Sequence, residues 1–159
     1  MSPQSSSIHV VCAVIQNEGR FLLAQRPEGK RLAGYWEFPG GKIEDTETPE
    51  QALHREILEE LGCRLQIIQS GPAVPWSYPW GEIILHAFLC ELTADSPVPE
   101  TREHQAFRWL SKNELSHDGL APADGPLIDW LRNQWPAPET EYPDKSLKTI
   151  IFIDTIQEM

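Results

Sequence analysis

The chain has 159 residues, 40% of them hydrophobic, with six Trp, three Tyr and five Phe; that is the length of one domain and enough apolar material for one core, which excludes wholesale disorder. Thirteen Lys and Arg against twenty-four Asp and Glu leave a formal charge of −11, which excludes electrostatic coating of nucleic acid or of an anionic membrane. No run reaches the ~18 apolar residues of a membrane span, the N-terminus lacks the basic and small-residue flanks of a signal peptide, and Cys12, Cys63 and Cys90, odd in number and far apart, read as three reduced thiols in a cytoplasmic protein.

In chain order, residues 1–7 are polar and Ser-rich and read as a disordered leader. HVVCAVIQ and GRFLLAQR are two β-rich runs joined through NEG, which predicts a hairpin. PEGKRLAGY is a Gly- and charge-rich loop, and WEFPGG is a short extended segment stopped by Pro39 and the double glycine. A helix follows, with Thr48 as N-cap, Pro49 as its first residue, Gln51 as the capping-box partner and Gly62 as the stop after Leu61. RLQIIQS and GEIILHAFLCEL read as strands, separated by a loop rich in Pro and aromatics, GPAVPWSYPW. A polar loop, ADSPVPETREHQ, leads to the strand AFRWL, and LIDWLRNQW reads as a last helix with Pro126 just before it. Residues 136–159 are a Pro- and acid-rich linker followed by a segment, SLKTIIFIDTIQEM, that reads as an added strand or a docked helix. The order of elements predicts an α+β fold, a mixed central sheet flanked by helices, with the domain over 8–135.

The helix carries the chemistry. At ~100° per residue, Glu56, Glu59 and Glu60 share an arc of about 100°, and Leu53, Ile57, Leu58 and Leu61 fill the adjoining core arc. Either the acidic arc is a solvated face, or it holds a cation. Like charges at i,i+4 destabilise a helix, and carboxylates in the last turn oppose its dipole. A hard divalent ion, Mg²⁺ or Mn²⁺, relieves both costs and joins carboxylates to substrate phosphates.

Residues 41–63, GKIEDTETPEQALHREILEELGC, resemble the Nudix box, G-x5-E-x7-R-E-U-x-E-E-x-G-U, where U is a bulky aliphatic. Gly41, Glu47, Arg55, Glu56, Ile57, Glu59, Glu60 and Gly62 match, and Cys63 departs from the aliphatic last position. AQRP, WEFPGGK, EHQAFRWL and LAPADGPL extend the resemblance to the MutT-type branch over residues 8–135. The resemblance implies a Nudix-type α/β/α sandwich. It implies Mg²⁺-dependent hydrolysis of nucleoside triphosphates to a monophosphate and pyrophosphate, with cleansing of oxidised nucleotides such as 8-oxo-dGTP as its leading form. It implies that Glu56, Glu59, Glu60 and the Gly40 carbonyl hold the metal, with Glu103 either reaching the same metal cluster or serving as a surface loop acid, and that Arg55 orients catalytic carboxylates including Glu47. The general base is Glu103, Glu56 or Glu59.

For the substrate, the resemblance implies Arg26 and Asp124 at nucleotide-contacting positions, Phe38 as a base stack or a core residue, and Lys42 as a phosphate contact or a solvated cation. Trp36, Tyr78 and Trp80 either wall the pocket or pack the core. Asp124 either reads the base or caps the last helix. An ionised Asp124 only accepts hydrogen bonds and suits the amine of cytosine, whereas a buried, protonated one regains a donor. A CTP or modified-pyrimidine pyrophosphohydrolase is the alternative substrate reading, and a non-catalytic nucleotide-binding module is the remote one. The expected partner is a nucleoside triphosphate, with no nucleic acid and no membrane. The tail after residue 135 either exchanges between the subunits of a homodimer or covers a sheet edge of a monomer. The histidines show no ligand spacing and receive no role.

Overall fold

Strand β1 (Ile8–Asn17) organises the molecule. Its β-branched run pairs in parallel with β6 (Gly81–Leu92), from Ile8↔Ile83 to Ile15↔Cys90, and antiparallel with β4 (Gly40–Lys42) over Val10–Cys12. At its far end, Gln16 and Asn17 pair with Phe21 and Arg20 of β2 (Arg20–Gln25). Glu18 and Gly19 turn between them with φ of 53° and 77°, the pair of positive values that a tight hairpin turn requires. Strand β2 in turn holds β3 (Trp36–Glu37) and β7 (Ala106–Ser111). The seven strands form one mixed sheet whose main path is β3-β2-β1-β6-β5. The computed structural model describes residues 7–134. It divides into two units, Met1–Ile128 and Asp129–Met159, and every site residue below lies in the first.

Helix α1 (Pro49–Leu61) has the expected ends. Thr48 accepts from the Gln51 N–H, the Gln51 side chain answers to the Thr48 N–H, and Gly62 stops the helix in the left-handed conformation. Ala52, Leu53, Ile57 and Leu61 are buried against Val11, Ala13, Ile15, Phe88 and Cys90. Side chains alternate along a strand, so Val10 and Cys12 face the opposite side of the sheet, where they line a cavity with Ala123 and Asp124 of a short 3₁₀ turn, Pro122–Asp124. The last helix, α2 (Gly125–Gln134), follows directly, with Leu127 and Ile128 fully buried.

Four expectations are corrected. Leu58 is 50% exposed, and Glu60 takes a buried place on the helix instead. The segment 71–78, read as loop, belongs to the long strand β5 (Leu65–Tyr78). Because β5 is the terminal strand of the sheet path, a proline there need not break a ladder on both sides. Register shifts at Ile67/Gln69 and Ser70/Ala73 absorb the irregular stretch that contains Pro72. The double glycine does not end an extended segment but forms β4. Helix α2 starts at Gly125, so Pro126 sits in its first turn, where a missing N–H is harmless. Cys12, Cys63 and Cys90 are free and buried. Among the described residues, no helix is long and apolar enough to cross a membrane. The leader over residues 1–6 and the linker and added element of 136–159 lie outside the described residues.

Candidate active site

Arg55 gathers the acidic residues around α1. Its guanidinium donates to Glu47 through Nε and through Nη2 (2.9 Å), to the Lys42 carbonyl (3.0 Å), to Glu56 (3.0 Å) and to Glu59 (3.3 Å). These hydrogen bonds hold the Glu47 carboxyl down to about 2. The Glu44 N–H also donates to Glu47, at 2.9 Å. The loop before the helix is thus locked to the helix by one cation and one carboxylate.

The glycines of β4 make room for this arrangement. A Cβ on Gly41 would overlap the Glu56 carboxyl, and one on Gly40 would overlap the Val11 carbonyl across the β1–β4 pairing. Only a residue without a side chain lets the strand lie this close to both.

Glu60 is the chemically pointed member of the set. It is 7% exposed, and its Oε1 has no hydrogen-bond partner. Burial, and then the nearby charges of Glu37, Glu56 and Glu103, push its carboxyl up to about 9. Burial also raises Glu56, against the opposing pull of Arg55. A bare carboxylate oxygen among further acids is costly unless a cation completes it. Glu60 opens on a cavity of about 270 Å³ that Gly40, Glu103, Glu37, Arg26 and Lys30 also line. The oxygen-rich donor set fits Mg²⁺ or Mn²⁺. Among the described residues, no three Asp, Glu, His or Cys side chains already form a closed ligand cage. Glu59 is more peripheral, with its side chain 53% exposed and paired to Arg55.

A second cavity, of about 390 Å³, adjoins the first through Arg26, Lys30, Glu37 and Gly40, which line both. It brings together all four residues expected to touch substrate: Arg26, Phe38, Lys42 and Asp124. Asp124 immediately precedes α2. It sits in the 3₁₀ turn, 6% exposed, and its Oδ2 accepts from the Phe38 N–H at 2.8 Å. Burial, reinforced by Glu37, raises its carboxyl well above the usual range, against the opposing pull of the Phe38 N–H and Arg26. Phe38 is 2% exposed and serves the core as well as the cavity wall. Tyr78 and Trp80 stack at 4.7 Å on the cavity rim, and the Tyr78 hydroxyl accepts from the Ala123 N–H. Trp36 is absent from this lining and instead carries the Arg108 guanidinium over its ring at 4.2 Å.

Two participants escaped the sequence reading. Glu37 accepts from Arg26 Nη1 at 3.0 Å, and its other oxygen lies 3.0 Å from His104 Nε2. A charge inside the otherwise apolar run Trp36–Phe38 was the available signal for Glu37. His104 carried none, because its partner is 67 residues away.

Residues 6–131 match the NUDIX domain family. The chain is 40% identical over 122 residues to the CTP pyrophosphohydrolase of Escherichia coli (strain K12), spanning 77% of this chain and 89% of that protein. It is 36% identical over 128 residues to the 8-oxo-dGTP diphosphatase of Haemophilus influenzae (strain ATCC 51907 / DSM 11121 / KW20 / Rd), spanning 80% and 93%. The crystal structure of a MutT protein from Methanosarcina mazei Go1 superposes with a TM-score of 0.72 at 28% identity, over 84% of this chain and 98% of that one.

Proposed function

We propose, from the premise that this chain belongs to the Nudix hydrolase family, that it is a Mg²⁺-dependent pyrophosphohydrolase that converts oxidised nucleoside triphosphates, 8-oxo-dGTP foremost, to the monophosphate and pyrophosphate. One observation carries the reading. Glu60, which carries a buried carboxylate oxygen without a hydrogen-bond partner, lines a cavity that adjoins a second cavity lined by Asp124.

Glu60, Glu56, Glu103 and the Gly40 carbonyl are the residues to hold the metal, with Glu59 at their edge. Bound there, the ion would neutralise triphosphate charge and make a water nucleophilic at neutral pH. The protein's own contribution is order. Arg55 fixes Glu47, Glu56 and Glu59 in one hydrogen-bonded set. Lys42, beside the double glycine, offers a point charge to phosphate. Arg26, anchored on Glu37 and on the Arg31 carbonyl, stands where the two cavities meet.

Asp124 supports the choice of base. In its neutral form it presents a donor and an acceptor side by side. On its N7 edge 8-oxoguanine offers an N7–H donor next to the O6 acceptor and matches that pair, whereas the same edge of guanine offers two acceptors and does not. Cytosine, with an amine beside a ring nitrogen acceptor, also matches. For that reason CTP or a modified pyrimidine nucleotide is the second reading, and the name of the E. coli relative agrees with it. Three buried free thiols suit a reducing compartment, so the cytoplasm is the proposed location.

The test is kcat/KM across canonical, oxidised and alkylated triphosphates with Mg²⁺. The reading expects 8-oxo-dGTP to exceed dGTP by at least ~10-fold, the worth of one mismatched buried hydrogen bond. Equal use of the two purines would refute it, and a dominant cytosine nucleotide would install the second reading.

A further inference from the structure

Residues 100–105 cross from the C-terminal end of α1 to the end of β2 and are fastened at both ends. The Glu100 N–H donates to the Leu61 carbonyl (3.0 Å) and the Arg102 N–H to the Glu60 carbonyl (3.3 Å). At the other end, the Gln105 N–H donates to the Gln25 carbonyl (2.9 Å) and its side-chain amide to the Arg26 carbonyl (2.9 Å). Glu103 and His104 lie between these fastenings, and both line the cavity onto which Glu60 opens.

The His104 ring is a poor choice for stability alone. Its side chain is 3% exposed, and its buried Nδ1 has no hydrogen-bond partner. An unmatched buried ring nitrogen costs stability that an apolar side chain of similar size would not. The ring's Nε2 lies 3.0 Å from Glu37 Oε2, and because a carboxylate only accepts, Nε2 donates. Glu37 itself is held by its pairing with Ala24 of β2 and by Arg26 Nη1. A residue of the crossing segment is thus tied by its side chain to the rigid strand that lines both cavities.

We propose that His104 is a positioning residue: anchored on Glu37, it sets Glu103 beside Glu60 and the Gly40 carbonyl. The inference rests on the reading of Glu60 and Glu103 as metal-side carboxylates. His104 acts through Glu103 and not on the nucleotide, so its loss is felt in turnover and not in substrate affinity. A displacement of about 1 Å of such a group can cost on the order of 100-fold in rate.

The test uses His104→Leu, which keeps bulk and removes the donor, and His104→Gln, whose amide nitrogen reaches the place of Nε2. Both are measured in the full chain with Mg²⁺ and 8-oxo-dGTP or the best substrate found, after circular dichroism has shown them folded. The expectation is a kcat for His104→Leu lower by ~10-fold or more with KM within ~2-fold, and recovery of most of that loss in His104→Gln. In a Glu103→Gln background, His104→Leu should cost less than a further ~2-fold, because the two act as one unit. Wild-type kcat in His104→Leu overturns the proposal, as does a glutamine variant no better than leucine, or multiplicative losses with Glu103→Gln. If Glu60→Gln keeps wild-type turnover, the proposal falls together with the site reading beneath it; if Glu60→Gln is inactive and the His104 and Glu103 losses multiply, the proposal falls alone.

Discussion

Burial raises the carboxyls of both Glu60 and Asp124, and each lines one of the two adjoining cavities. Spacing in the sequence put Glu60 on a helix with Glu56, but it could not tell that Glu60 would be buried while Leu58 was not, because the arc that becomes core depends on what packs against it. Asp124 was visible only as one of two alternatives, cap or base reader. Its bond to the Phe38 N–H, across 86 residues, is a tertiary fact. That bond also fixes the orientation of the carboxyl, with Oδ2 as its acceptor. Asp124→Asn presents the same donor and acceptor, so the ratio of kcat/KM for 8-oxo-dGTP over dCTP should stay within ~3-fold of wild type. Asp124→Leu should lower kcat/KM for the preferred substrate by at least ~10-fold, the effect of ~1–3 kcal/mol of lost hydrogen bonding. Steady-state kinetics on both variants check this. A ratio changed ~10-fold or more by Asn would mean that Asp124 works ionised.

At the scale of elements, α1 was legible almost to the residue, because its signals are local: Thr48, Pro49 and Gln51 at the start and Gly62 at the end. Strand β5 was not, because Pro and aromatic residues read locally as loop, and only a position at the end of the sheet path makes them acceptable. The same contrast sets two predictions. Thr48→Ala removes the capping box and should lower stability by ~1 kcal/mol, seen in chemical denaturation, with kcat at saturating substrate nearly unchanged. Gly41→Ala should do the reverse. Its Cβ meets the Glu56 carboxyl, the far end of a side chain and not backbone. Glu56 therefore moves off Arg55 at little cost in stability, and kcat should fall by at least ~10-fold. A Gly41→Ala enzyme with normal turnover would show that the position of Glu56 is not critical.

For the whole molecule, the sheet order was beyond sequence. The two strands of the hairpin were identified, but not that β1 would leave β2 after two pairs and run in parallel beside β6, 75 residues on. That arrangement puts α1 on one face of the sheet and the Asp124 cavity on the other, with β4 carrying Gly40 at the passage between them. The burial of Glu60 should register in the stability of the whole chain. Its carboxyl titrates near 9 when folded and near 4.5 as an ordinary group. The folded state therefore holds the proton more tightly, and metal-free stability should fall as pH rises from about 4.5 towards about 9. Glu60→Gln removes this slope: without metal it should be more stable than wild type at pH 8, on the order of a few kcal/mol, with the gap closing towards pH 5. Mg²⁺ should raise the melting temperature of wild type at pH 8 and do so less for the variant, which has lost a charged ligand. Thermal denaturation across pH, with Mg²⁺ or with a chelator, checks both. The claim that unites these scales is that the cavity of Glu60 hydrolyses a triphosphate through a divalent ion. It is tested most directly by identifying the first products formed from 8-oxo-dGTP, by chromatography, with Mg²⁺, after chelation, and after Mg²⁺ is restored. The account predicts 8-oxo-dGMP and pyrophosphate, a rate that vanishes on chelation and returns with Mg²⁺, and loss of that rate by orders of magnitude in Glu60→Gln; a nucleoside diphosphate with orthophosphate, or a rate indifferent to chelation or to Glu60, would contradict it.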